Sequence, residues 1–352
     1  MAVKNDSPKN LRYIKLDDEC WRLSGFAFRQ PHQDLHRLPD SREIPPAVAA
    51  LARHTSGGRL DFISNTTRIW VKVKLKDPSH MYHMPDSGSC GFDLYSGAPG
   101  ESFFIGASRF KAGANKYESK MHLYKFDGNF HHFTLNFPLY SGIKSLKIGI
   151  DKDAEIRPPA PWQDDRPMVF YGSSITQGGC ASRPGMAYPA ILGRRFNRPV
   201  FNFGFSGSGM GESVVAAQLA KIPDPALFLL DYDGNAKLEG MQRTLKDFIS
   251  ILRQSHPDTP IVVLSSLRYN REIPITGSPD IQLPEIAASA DFQRAEVERR
   301  QQTGDKNIYF VHGGTICGKL WHEFAVDGIH PTDLGFFHLA DELENIIAKI
   351  VG

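Results

Sequence analysis

Met168-Val-Phe-Tyr-Gly-Ser-Ser-Ile-Thr-Gln-Gly-Gly179 is the stretch on which the fold turns. A continuous apolar run, without polar positions in alternation, is the mark of a parallel strand covered on both faces. The glycines after it permit a sharp turn and lift a hydroxyl, that of Ser174, to the sheet edge. The pattern recurs downstream in Pro199-Val-Phe-Asn-Phe203, Leu227-Phe-Leu-Leu-Asp231, Ile261-Val-Val-Leu264 and Asn307-Ile-Tyr-Phe-Val311. Helical segments are expected at about 186–196, 211–221, 238–255, 285–303 and 333–350. Five apolar strands alternating with helices predict an α/β domain of three layers, α/β/α, around a parallel sheet.

Upstream the period changes. Arg59-Leu-Asp-Phe-Ile63, Arg68-Ile-Trp-Val-Lys-Val-Lys-Leu75, Gly91-Phe-Asp-Leu-Tyr95, His131-His-Phe-Thr-Leu-Asn-Phe137 and Ser145-Leu-Lys-Ile-Gly-Ile150 alternate apolar and polar positions. Period two, broken by Pro, Gly, Asn and Asp, predicts antiparallel strands and an all-β, jelly-roll-like sandwich. Arg157-Pro-Pro-Ala-Pro-Trp-Gln-Asp-Asp-Arg-Pro167 then reads as a stiff linker. The expected division is a sandwich over 1–155, a linker over 156–166 and the α/β domain over 167–352.

The 352 residues exceed the usual size of one hydrophobic core, in keeping with two domains. Lys and Arg number 41 against 39 for Asp and Glu, and the resulting net charge of +2 creates no field that would gather nucleic acid or an anionic membrane. No span has the uncharged apolar length of a transmembrane segment. The opening Met-Ala-Val-Lys-Asn-Asp-Ser-Pro-Lys9 lacks an apolar segment, so a cytoplasmic location is expected unless a leader has been removed. Cys20, Cys90, Cys180 and Cys317 are scattered singly and read as free thiols, with Cys180 a small apolar filler near Ser174. Oligomeric state is left open.

Ligands of open parallel sheets bind beyond the carboxyl ends of the strands. There Ser174 is the candidate nucleophile, although Ser173, Ser174 and Thr176 would also serve as helix caps. A serine hydroxyl needs a base, itself oriented by a third group. Ala325-Val-Asp-Gly-Ile-His-Pro-Thr-Asp-Leu-Gly335 offers both: a turn through Gly328 brings Asp327 against one nitrogen of His330 and leaves the other for Ser174. Donors for a developing oxyanion follow the second and third strands. These are the N–H of Gly207 in Asn202-Phe-Gly-Phe-Ser-Gly207 and the amide of Asn235 in Asp231-Tyr-Asp-Gly-Asn-Ala236.

Taken together these blocks resemble the SGNH hydrolase superfamily, the GDSL-type esterases and acylhydrolases, whose four defining residues are Ser, Gly, Asn and His. All four occur here in family order over roughly 168–350. The resemblance implies a flavodoxin-like catalytic domain, a triad of Ser174, His330 and Asp327, and an oxyanion hole of Ser174 N–H, Gly207 and Asn235. Two positions depart from the usual pattern, where aspartates are replaced by Ser173 and Ala236. The front half resembles the sandwich that precedes some of these domains, through Tyr82-His-Met-Pro-Asp-Ser-Gly-Ser-Cys-Gly-Phe-Asp-Leu-Tyr95. That likeness suggests a sandwich packed beside the site, with Met81, Tyr82, His83 and Met84 along its border, or with the Met and Tyr side chains packed within the sandwich. His83 is either a surface residue or part of the wall.

The expected activity is hydrolysis of short-chain, acetyl-like esters on carbohydrate, with a small-molecule or sugar ester as partner. Acyl transfer and lipase activity through the same triad are alternatives, as is carbohydrate binding without catalysis. In the lipase reading Phe203, Phe205 and Met210 would line an acyl pocket. No cofactor or metal is expected: His312, His322, Glu323, Asp327 and His330 lack a metal-binding spacing.

Overall fold

A computed structural model of the chain describes residues 8–30 and 34–351. Residues 1–7, within the stretch read for a leader, lie outside it. The apolar runs of the C-terminal half form five strands: β11 (Met168–Gly172), β12 (Val200–Gly204), β13 (Leu227–Asp231), β14 (Ile261–Leu264) and β15 (Ile308–Val311). They pair in the order β12-β11-β13-β14-β15, every pair parallel. This is the flavodoxin-like order, whose reversal beside the first strand opens a crevice at the carboxyl ends. Each residue of β11 is buried, because both faces of the sheet are covered.

Alternate side chains of one strand feed two separate cores. Met168 and Phe170 join Leu227, Leu229, Val262 and Leu264 beneath helices Tyr188–Arg195 and Asp333–Val351. Val169 and Tyr171 face the other way, with Phe228, Leu230, Ile261 and Val263, against helices Ser213–Leu219, Asp233–Ser255 and Pro284–Gln302. That second core also receives Leu38, Ile44, Val48 and Ala52 from the N-terminal half. The helix expected from 238 begins at Asp233, with a break at Lys237 (φ 55°, ψ 179°).

The sandwich is two antiparallel sheets. One runs β1 (Leu11–Lys15), β9 (Gly142–Asp151), β4 (Ile69–Lys76), β7 (Lys116–Lys120). The other runs β10 (Ile156–Arg157), β3 (Arg59–Ser64), β8 (His131–Asn136), β5 (Asp93–Ser96), β6 (Phe103–Ala107), with β2 (Arg22–Ser24) also on β3. Inward positions alternate as the sequence predicts. Val71 opposes Ile148 and Phe62 opposes Phe133, and these side chains meet in a third core. Among the described residues no helix is long and apolar enough to cross a membrane.

Candidate active site

The register places Gly172 opposite Gly204 on one side and Asp231 on the other, so the loops after β11, β12 and β13 leave the sheet side by side. A Cβ on Gly172 would sit 2.2 Å from Thr176 Oγ1 and 2.3 Å from Asp231 O, which is why the strand must end on glycine to turn so tightly. The two serines that follow divide the available roles. Ser173 is the helix cap, its Oγ accepting from Ile175 N–H at 3.2 Å. Ser174 opens the short helix Ser174–Gln177, and its Oγ lies 2.8 Å from His330 Nε2.

His330 Nδ1 lies 2.7 Å from Asp327 Oδ2, while Asp327 Oδ1 accepts from the N–H groups of Ile329 (3.0 Å) and His330 (2.8 Å). The turn through Gly328 has the left-handed φ of +85° that makes this i,i+3 arrangement possible. Partial burial pushes the Asp327 carboxyl up, but the hydrogen bonds and imidazole of His330, with the Ile329 N–H, outweigh it and hold the group below its ordinary value. An ionised Asp327 fixes the proton on Nδ1 and leaves the Nε2 lone pair for the Ser174 hydroxyl.

Gly207 has φ +65° and open space where a Cβ would stand. Its N–H and that of Ser174 have no hydrogen-bond partner among the described residues. Asn235 is beside them, and its Nδ2 donates to Phe205 O and Gly209 O, both at 3.1 Å, clasping the turn that carries Gly207. At the departures from the usual motif, Ser173 caps the helix and Ala236 is half-buried in the first turn of its helix.

Several supports were not legible in the sequence. Gln177 Oε1 accepts from Ser206 N–H at 3.0 Å, and its Nε2 donates to Leu139 O (3.1 Å) and His54 Nδ1 (3.2 Å). Burial, and next the charge of Arg37, push His54 down to about 4, so it is the neutral acceptor that Gln177 requires. Arg37 is buried and donates to His54 O, Leu51 O, Asn202 O and Gly204 O at 2.7–2.9 Å, gripping the base of the Gly207 loop. Burial pushes its guanidinium down to about 9. Tyr140 OH reaches Ser174 O at 3.4 Å. A lone Arg or Tyr in a loop, or a Gln closing a four-residue helix, carries no periodic or spacing signal, so none of these was within reach of pattern reading.

Beneath the nucleophile helix, Asp231 Oδ2 accepts from Thr176 Oγ1 (2.7 Å) and Tyr188 OH (3.2 Å). Burial pushes this carboxyl up to about 7.

The bordering segment is present as expected. The His83 ring is 5.6 Å from that of His330 and half-buried, Tyr82 is exposed with its ring tilted against His83, Met84 is buried and Met81 is partly so. Phe203 and Phe205 do not line a pocket. Both are buried in the second core, Phe203 because strand alternation turns it inward and Phe205 because it lies beneath Arg37, leaving Met210 alone exposed. Cys180 is buried at φ +75° and its thiol is pushed up to about 12, first by burial and then by the charge of Asp327.

Comparisons with known proteins bear on the family and the fold. Residues 165–348 match the GDSL-like lipase/acylhydrolase family, and residues 11–156 match the domain that forms the N-terminus of SGNH-hydrolase-type esterases. A GDSL-like protein from Bacteroides ovatus is 32% identical, with 97% of this chain and 98% of that one covered at a TM-score of 0.85. Two more distant structures share the fold over 97% of this chain and 98% of their own. These are the salicylyl-acyltransferase SsfX3 of a tetracycline biosynthetic pathway (19% identity, TM-score 0.75) and a family two carbohydrate esterase from Cellvibrio japonicus (14%, 0.60). A search of curated proteins returns no match. The chain therefore belongs to the GDSL-like lipase/acylhydrolase family of SGNH hydrolases, in the group that carries an N-terminal β-sandwich.

Proposed function

We propose that this protein is a serine esterase that removes short acyl groups, acetyl above all, from carbohydrate esters through a covalent acyl-enzyme. The observation that carries the reading is the line Ser174 Oγ to His330 Nε2 (2.8 Å) and His330 Nδ1 to Asp327 Oδ2 (2.7 Å). A nucleophile, a base and an orienting carboxylate at hydrogen-bonding distance are what acyl transfer requires. His330 takes the Ser174 proton as Oγ attacks the ester carbonyl. The oxyanion is met by the N–H groups of Ser174 and Gly207, and by Asn235 as one of its two long bonds shifts to the new charge. His330 then protonates the leaving alcohol, and a water activated by the same imidazole releases the acid.

A small acyl group fits the burial of Phe203 and Phe205, which removes the apolar lining that a long chain would need. The sugar component is supported by shared architecture with the carbohydrate esterase of Cellvibrio japonicus. Chain-wide likeness to SsfX3 keeps transfer to a non-water alcohol as a second reading. The test is release of acetate from acetylated oligosaccharides and from short-chain and long-chain aryl esters, by the wild type and by Ser174→Ala. The proposal predicts acetate release by the wild type alone and a steep fall with chain length. Equal activity in the variant would remove Ser174 from the chemistry. Ester product appearing faster than acid when an alcohol is added would assign the enzyme to transfer.

A further inference from the structure

We propose that His83, Cys180 and His330 form a binding site for a thiophilic divalent cation, zinc being the type case, and that its occupancy switches the enzyme off. The regulatory half of this inference rests on the assignment of His330 as the base. The three side chains come from separate segments: the loop ahead of helix Asp86–Ser89 in the sandwich half, the turn after the nucleophile helix, and the Asp327–His330 loop. One donor atom from each lies within 4.8 Å of the others. A tetrahedral zinc site with two imidazoles and one thiolate holds its donors roughly 3.3–3.6 Å apart, so closure needs shifts of about 1 Å. Three protein ligands leave the fourth position to water or to Ser174 Oγ.

Two features are otherwise unexplained. His83 Nδ1 is buried without a hydrogen-bond partner, in a ring that tilts toward His330. Buried ring nitrogens are ordinarily satisfied. Cys180 holds the left-handed region that favours glycine, beside the nucleophile turn, although the proposed hydrolysis makes no use of its thiol. The third ligand is already dressed for a metal. A metal-bound histidine characteristically gives its other nitrogen to a carboxylate, and His330 Nδ1 has Asp327.

Binding breaks the Cys180 S–H bond and forms a metal–sulfur bond, the proton passing to solvent. His330 Nε2 gives the metal the lone pair that now accepts from the Ser174 hydroxyl. No redox change is involved. Ser174 keeps its position and loses its base, so inhibition is competitive with the chemistry and reversed by a chelator.

The test uses the full chain freed of metal. Zinc is titrated against ester hydrolysis, and in parallel Co²⁺ is titrated while the thiolate-to-cobalt charge-transfer absorption is followed. The expected results are saturable inhibition reversed by chelator, a charge-transfer band in the wild type, and no band in Cys180→Ser or Cys180→Ala. Both Cys180 variants should hydrolyse ester at close to the wild-type rate and need roughly 10–100-fold more zinc for inhibition, and His83→Gln should show the same shift in zinc sensitivity relative to its own metal-free rate. A wild-type cobalt spectrum without the band, or Cys180 variants as zinc-sensitive as the wild type, would overturn the site. The cobalt band does not depend on turnover. A protein that shows the band but hydrolyses no ester would retain the metal site and lose the hydrolase reading.

Discussion

Ser174 and His330 face one another across 2.8 Å, yet the turn that carries the first and the loop that carries the second are held by different means. The nucleophile turn is buried from Ser173 to Cys180 and braced from a distance. Gln177 ties it to Leu139 and His54 of the N-terminal half, Ser56 Oγ donates to Gln177 O at 2.6 Å, and Tyr140 reaches Ser174 O. The acid–base loop is half-buried and held mostly within itself: Asp327 holds the N–H groups of Ile329 and His330, Val326 N–H donates to His330 O at 3.0 Å, and from outside Asn270 N–H donates to Gly328 O at 2.9 Å. An attacking oxygen needs placement to a fraction of an ångström, which a packed interface provides. A base that must accept and return a proton needs an orienting carboxylate within its own turn, and water nearby.

The contrast is broken most severely at its centre. Ser174→Ala should lower kcat for acetyl esters by roughly 10⁶-fold, and Asp327→Asn by about 10⁴-fold with the fold intact, measured by steady-state kinetics beside circular dichroism. The long-range bracing should show as stability. Arg37→Met leaves carbonyls at His54, Asn202 and Gly204 without their side-chain donor, while Leu51 O keeps the N–H of His54, and should lower unfolding free energy by about 3 kcal/mol in urea titrations. A milder cut is Gln177→Leu, which frees Ser206 N–H and loosens the Gly207 turn. Its expected signature is a loss of about 10–100-fold in kcat with KM nearly unchanged.

Those braces also mark where the sequence stops being informative. The Asp327-Gly-Ile-His330 turn was legible because its bonds span three residues and Gly328 supplies the one conformation they need. Strand β11 was legible from its continuous apolar run, and the turn after it from its glycines. The clasp of Arg37 on Asn202, 165 residues away, exists only after two halves of the chain have docked. The sandwich divides in the same way. Strands β3, β4, β5, β8 and β9, which the sequence reading found, are interior to their sheets. Missing from the sequence reading were β1, β6, β7 and β10, which are edges, and β2, a short strand off the main path. An edge strand has one partner and buries less, so its pattern is weaker, as the exposed Phe103 and Phe104 of β6 illustrate.

A pH-dependent effect concerns a group beneath the nucleophile turn. Asp231 is raised from an ordinary carboxylate value to about 7, so the folded state holds a proton that the unfolded chain has released. Its contribution to stability is therefore full below about 4, falls as pH rises, and is gone above about 7. Unfolding free energy of the wild type should decline relative to Asp231→Asn between those limits and run parallel outside them, as read from urea midpoints at each pH.

The claim that joins these observations is that Ser174 is activated by His330. It is tested most directly by treating the protein with a fluorophosphonate and locating the adduct by peptide mass spectrometry. One phosphonylated residue, Ser174, is predicted, with the adduct abolished in His330→Ala although the hydroxyl remains. Modification elsewhere, or of Ser174 at an undiminished rate without His330, would contradict the account.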